Sequence, residues 1–584
     1  MPLWDNNNLD DQPVWSAAAD FRGGMNTTVL PHVLTDNQYA KGINTTLLKT
    51  GRIRTRGGMV ANGVMASPAT VQGMAYYETG PGTEEVLVVN DNELKVWNNS
   101  SFTAVPGYTL TGRVSAFQAQ RHALFFSDTA AMYYDGTTVR AINHATIPVV
   151  LVTGSGYVVG DLLTLTGGTP EIDAVARVAT IGASGEVLTV DWGTGATRGR
   201  GYTAAPSGYT GGSGTLATFT YALTTPPAGN IATWHTERVF LAGVAADRDT
   251  LYVSDILELD RFPTLSTVTI GSDGEAITGI HSWDNFSLLV FKANSTYTVS
   301  TDPRAEVVDW AVSKISSTVG SVSHWATMQV GADVWWLSRD GVQSVRRMIQ
   351  ETQREISGSV SVQVQSYIDD VNWAQVHKAS MGYFDNKLFL SFASGTSTDN
   401  NTLLVFDTYH QVWSSEWTGP NVSLMVRSKF RNEQRLHFGT DDGLIRTYVD
   451  SSEVDTDELA ATTDIPTELW FRSFSFGEPV SPKSLLNIEL EFTDSTATLD
   501  LSLSAEGTPF ETVAAGLASS VALLLLPFDL PASLSDGGHY RRAYNLLKYR
   551  QVSEAQPKVT AAAGRVSLRA LVMSAFIEPM RIDY

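Results

Sequence analysis

At 584 residues the chain has room for about three to five domains, taking roughly 100–200 residues for each. Its formal charge is −21, with 40 Lys and Arg against 61 Asp and Glu, which excludes a chain built to grip nucleic acid by neutralising phosphates. It has no cysteine, so disulfides, zinc knuckles, iron–sulfur clusters and thiol nucleophiles are excluded together, and a hydrophobic content of 43% excludes a disordered tail.

The chain opens Met1-Pro2-Leu3-Trp4-Asp5-Asn6, polar and acidic, without the basic and apolar regions of a secretory leader, so no targeting segment is expected. Residues 1–60 hold few strand-like runs and read as an extended N-terminal arm. The arm centres on Asp20-Phe21-Arg22-Gly23-Gly24-Met25-Asn26 and ends in Gly51-Arg52-Ile53-Arg54-Thr55-Arg56-Gly57-Gly58. Paired glycines permit positive φ or close backbone approach. Arg52, Arg54 and Arg56 alternate and would share one face of an extended strand. Two readings stand for this segment. One is a solvated strand edge; the other is an anchor in which Phe21, Gly23, Gly24, Arg52, Arg54 and Arg56 tie neighbouring subunits together.

From residue 61 to 450 one phrase recurs: a short aliphatic and aromatic strand, an Asp/Gly turn, and a second strand. Its centres are Val88, Phe125, Leu241, Leu289, Trp336, Phe389 and Phe438. They lie about 40–50 residues apart, the period of four-stranded propeller blades, except between Phe125 and Leu241. That gap holds residues 147–222, rich in Gly, Thr, Ala and Val, which read as an inserted small β module; its removal restores the period. The 48 glycines and the 10% aromatic content fit blade turns and blade cores. The expected fold is therefore all-β, with a β-propeller of about six or seven blades formed by residues 61–146 and 223–450. An irregular stack of β-sandwiches is the alternative.

Residues 451–466 begin Ser451-Ser452-Glu453-Val454-Asp455 and read as a polar, acidic linker. Beyond it, the segments 469–477, 486–492, 499–503 and 566–572 alternate with period two, as half-buried antiparallel strands do. A C-terminal β-sandwich over 467–584 is expected. The apolar run Val521–Phe528 is far shorter than the roughly 20 residues that span a bilayer and reads as a buried strand.

The search for chemistry is negative. Ten histidines are scattered, none in a His-Glu-x-x-His pattern, and a lone strand histidine such as His437 reads as structural. No Gly-x-Ser-x-Gly elbow or Gly-Lys-Ser/Thr phosphate loop occurs. The acidic pairs Asp369-Asp370 and Asp441-Asp442 suit turns better than the paired carboxylates of a glycosidase. No catalytic residue, cofactor or metal is expected.

Three stretches resemble the tail nozzle (tail tubular) proteins of short-tailed bacteriophages. They are the arm from Asp20-Phe21-Arg22-Gly23-Gly24-Met25-Asn26 through Asn44 to Gly57-Gly58, the phrase Val405-Phe406-Asp407-Thr408-Tyr409-His410-Gln411-Val412-Trp413, and Arg472-Ser473-Phe474-Ser475-Phe476-Gly477-Glu478-Pro479 with Lys483. The segment 147–222 is similar to a small β module seen on phage virion proteins. The resemblance implies a non-enzymatic structural protein of the virion, assembled in the host cytoplasm. It would form a homo-oligomeric, hexameric ring docked on the tail adaptor (head-to-tail connector) ring, closing the tail and conducting the genome on ejection. Tail fibres and a host surface receptor are further partners it implies. Genomic DNA would pass through without specific binding, and net negative charge agrees, because an acidic lumen repels a polyanion. The alternative is a glycan-binding or glycan-degrading β-propeller tail component.

Overall fold

An unbroken apolar run needs cover on both faces of its strand, and the computed structural model shows how it is met. It describes all residues except 1–12, 64, 66–67, 81, 355–357, 458–460, 494–495, 519–539 and 579–584. Strand His122–Phe126 is buried throughout. Its Ala123 and Phe125 share a core with Leu87 and Val89, while Leu124 and Phe126 share another with Val239 and Leu241. Strand Arg238–Ala242 repeats the arrangement, its Phe240 and Ala242 packing with Leu288 and Val290. Alternate side chains of one strand therefore serve the cores before and after it, which is why both parities are apolar.

The chain is all-β and contains a β-propeller. Four-stranded antiparallel meanders begin at Val71–Tyr77, Ser115–Ala119, Ile231–His235, Ile277–Asp284 and Ser380–Phe384, and a three-stranded one begins at Thr327–Val330. A seventh sheet runs Val422–Phe430, Glu433–Thr440, Ile445–Val449, and takes its fourth strand, Gly58–Ala61, from the other end of the chain. Several strand pairs turn through two residues of positive φ, such as Thr236-Glu237, Asp385-Asn386 and Arg431-Asn432, the hairpin geometry that matches strand twist. The chain divides into two compact units, one of residues 65–339 with 428–434, the other of 1–64, 340–427 and 435–584.

In the first unit, residues 147–222 carry their own core, built on Tyr157, Leu163, Ala176, Val178, Val187 and Phe219. A four-stranded sheet and the pair Val149–Ser155 with Thr215–Thr220 make up this module. The chain leaves and returns through a short ladder of His144–Ala145 with Leu223–Thr224.

In the second unit, strands run at Thr467–Trp470, Lys483–Thr493, Thr498–Ala505 and Ser567–Ile577; the last three overlap the alternating segments 486–492, 499–503 and 566–572, whereas of 469–477 only the first two residues lie in a strand. They belong to two sheets whose side chains, Ile53 and Leu568 from one and Leu469, Leu499 and Val559 from the other, line one small internal gap. The run Val521–Phe528 lies outside the described residues.

Residues 13–60 are not a free arm. Val14–Ala18 and Ile53–Thr55 pair with Ser567–Ile577, and Lys41–Ile43 lies between Val412–Trp417 and Thr467–Trp470. Lys41–Ile43 thereby joins a blade and the sandwich into one nine-stranded sheet. These three strands are three to five residues long and held by main-chain pairing, so they lack the apolar periodicity that marks a strand in sequence. Nor is 451–466 a bare linker: Val454–Thr456 pairs with Thr462–Asp464, and Asp455 is buried.

Candidate functional site

The six residues singled out in the arm all lie in the second unit, and five of them are fitted to their own chain. Phe21 is buried edge-on against Tyr39 and Phe471. Gly23 backs onto Asn37, and Gly24, at φ +75°, onto Val412 and Trp413. Arg54 reaches Asp450 at 2.6 Å. Arg56, expected on one face with Arg52 and Arg54, is instead 1% exposed and paired with Asp455. Arg52 is half-buried, without a side-chain partner among the described residues.

The acidic pairs are structural in their contacts. Asp442 holds Arg446 at 2.6 Å, Asp441 accepts from Asn421 and Asp369 from Gln365. His437 is fully buried, within hydrogen-bonding distance of Thr447 Oγ1 at 2.9 Å. Among the described residues no group of three or more His, Asp or Glu is placed to hold a metal ion.

Polar groups converge elsewhere, in the first unit, where the inserted module meets the blades. Glu171 of the module accepts from Tyr133 Oη at 2.7 Å and from Arg200 Nε at 3.0 Å, and lies 3.2 Å from His122 Nε2. Burial opposes ionisation of this carboxyl, but the hydrogen bonds from Tyr133 and Arg200 outweigh it and hold Glu171 below the usual carboxylate range. His122 is pushed down by burial and by Arg200, against the pull of Glu171. This carboxylate is the pin that ties module to blade.

Beside the pin opens a cleft of about 460 Å³. Its module wall includes Trp192, Thr197, Arg198 and Arg200; its other wall is the loop that follows Thr250–Val253, with Glu258, Asp260 and Arg261. Arg261 is held by Asp255 at 2.8 Å. Arg198 lies over the Trp192 ring, 5.9 Å from its centroid. Burial first, and then the charge of Glu258, push the Asp260 carboxyl up to about 7. His144, its Nδ1 3.1 Å from the Asp260 carbonyl, is pushed down by burial. At neutral pH Asp260 is therefore about half ionised beside a His144 that burial keeps neutral, so their contact at 3.6 Å is not a full ion pair. Sequence reasoning missed this cleft, although Arg198 and Arg200 stand two apart in a chain poor in basic residues.

No family model and no curated protein matches the chain. Among solved structures, a selenomethionine-substituted virginiamycin B lyase from Staphylococcus aureus is similar at a TM-score of 0.34 and 7% identity, over 67% of this chain and 99% of that one.

Proposed function

We propose that the chain is a structural component of a short-tailed phage virion, the nozzle ring that closes the tail and conducts the genome. The observation that carries this reading is the nine-stranded sheet, in which Lys41–Ile43 joins a blade to the C-terminal sandwich. The Gly-Gly and Arg-rich ends of the resemblance lie in the same segment, which also completes the seventh sheet through Gly58–Ala61. A component that carries load during DNA ejection needs continuous hydrogen-bonded connection between its parts, and main-chain ladders supply it. The charge of −21 favours release of DNA over retention. On this reading the protein is not an enzyme, and its partners are five further copies and the adaptor ring. Cryo-electron microscopy of virions carrying the chain tests it. Six copies around the tail axis are expected; a trimer, or a position off the axis, would sink the reading.

The second reading, a glycan-binding or glycan-degrading propeller, is favoured by one observation, the cleft of Arg198, Arg200, Arg261, Glu258 and Asp260. A carboxyl pushed up to about 7 can serve as a proton donor at neutral pH. A polysaccharide-depolymerisation assay tests this reading, with released reducing ends as the readout. Loss of that activity in Asp260→Asn would favour it, and no release by the parent chain would exclude degradation.

A further inference from the structure

Within the cleft, two of the three guanidinium groups are already matched, Arg200 by Glu171 and Arg261 by Asp255. The Arg198 guanidinium has no hydrogen-bond or ion-pair partner among the described residues; it lies over Trp192 and in the field of Glu258, Asp255 and Asp260. The Trp192 Nε1–H is shielded from solvent and also lacks an acceptor. A half-buried cation thus lines the cavity with all five of its donors free of hydrogen bonds to the described residues. The cavity, at about 460 Å³, falls within the range of small-molecule sites.

The rest of the wall narrows the occupant. A guanidinium fork is matched by an oxyanion, best by a planar carboxylate. Glu258 and Asp260 line the same cavity and accept hydrogen bonds from hydroxyl groups. A bare inorganic anion would match Arg198 but give Glu258 and Asp260 no donors, and a neutral sugar would leave Arg198 unmatched. A ligand carrying one carboxylate beside several hydroxyls meets both demands. We infer that the cleft between the inserted module and the propeller is a binding site for a carboxylated sugar of the uronic-acid class, its carboxylate held by Arg198. The site does not depend on the nozzle reading: acidic surface polysaccharide could be met by a virion component or by a free-standing glycan-binding propeller.

Isothermal titration of the full chain with methyl glucuronide tests the site, with methyl glucoside and inorganic sulfate as the matched neutral and non-sugar probes. Glucuronide is expected to bind about tenfold or more tightly than either, and Arg198→Gln to remove about that factor. Arg198→Lys, which keeps the charge and the stacking but loses the fork, should weaken binding severalfold and stands in if the Gln variant does not fold. No binding of glucuronide at about 10 mM would overturn the inference. So would equal binding of the glucoside, sulfate binding as tight as the glucuronide, or affinity unchanged in both variants.

Discussion

Arg56 and Asp455 form a two-pronged ion pair sealed inside the chain, Nη1 to Oδ1 at 2.8 Å and Nη2 to Oδ2 at 2.6 Å. The remaining N–H directions of the guanidinium are also used, by Asn44 Oδ1 and by the carbonyls of Gly57 and Thr418, each at 2.9 Å. Asp455 Oδ1 in turn accepts from the Met59 N–H at 2.8 Å, at the strand that completes the seventh sheet. One pair thus fixes the N-terminal segment, the seventh sheet and the hairpin before the sandwich.

Removing one partner leaves the other charge buried and uncompensated, which costs about 3–5 kcal/mol in comparable pairs. Arg56→Met and Asp455→Asn are each expected to lower stability by that amount in urea unfolding. Arg56→Lys should not rescue, because an ammonium has three donors where five acceptor contacts are made. The joint replacement Arg56→Met with Asp455→Leu should lose less than the sum of the single changes. A loss under about 1 kcal/mol for Arg56→Met would show that main-chain pairing alone holds the segment.

Gly24 tests the fit of the same segment by shape. At φ +75° any Cβ is strained by roughly 1–2 kcal/mol, and here it would also lie 2.6 Å from both the Trp413 carbonyl oxygen and Val412 Cβ. Gly477, at φ +83°, has open space where its Cβ would be. Gly24→Ala should therefore lower the thermal midpoint clearly more than Gly477→Ala, which carries the φ strain alone. Equal shifts would mean that the segment has room to move away from Val412.

What could be read in advance follows from the physics of each part. The blades were legible because the runs at Phe125, Leu241 and Leu289 are buried on both faces and so are apolar at every position. The sandwich strands were legible through period-two alternation. The N-terminal segment shows few strands in sequence because Lys41–Ile43 and Ile53–Thr55 are held by ladder hydrogen bonds, which leave no hydrophobic pattern. Asp455 was read as part of a linker, since a polar stretch does not reveal that one carboxylate in it is buried against an arginine about 400 residues earlier in sequence. The cleft was invisible for a similar reason: Arg198 and Asp260 meet only through the way an insertion folds back on its host.

His235 sets an expectation for acid. Its two ring nitrogens lie 2.8 Å from Ser282 Oγ and Thr301 Oγ1, and burial pushes its pKa down to about 4. A histidine lowered on folding contributes stability that is present above the unfolded value near 6.5 and is lost as pH falls from there toward 4. The full loss is about 3 kcal/mol for this residue. His324 and His437, each pushed down by burial to about 3, act in the same direction. Thermal midpoints should fall steeply between pH 6.5 and about 4, and His235→Gln should flatten part of that slope. An unchanged slope in the variant would show that His235 becomes charged without cost.

Asp260 has the opposite sign. Its carboxyl is raised from 3.8 to about 7 by burial and by Glu258, against the pull of Arg198 and Arg200. The unfolded chain therefore releases this proton at lower pH than the folded one, and stability from this group falls as pH rises from about 4 to about 7. Above that window the buried carboxylate costs up to about 4 kcal/mol, from a shift of about three units at 1.36 kcal/mol each. Asp260→Asn removes the ionisation and keeps the size. The variant should be more stable than the parent chain at pH 7.5, by about 2–4 kcal/mol, and close to it at pH 4. Because His235, His324 and His437 are common to both proteins, the difference between the two curves isolates the carboxyl. A variant less stable than its parent at pH 7.5 would mean that Arg198 and Arg200 stabilise the charged Asp260 by more than its burial costs.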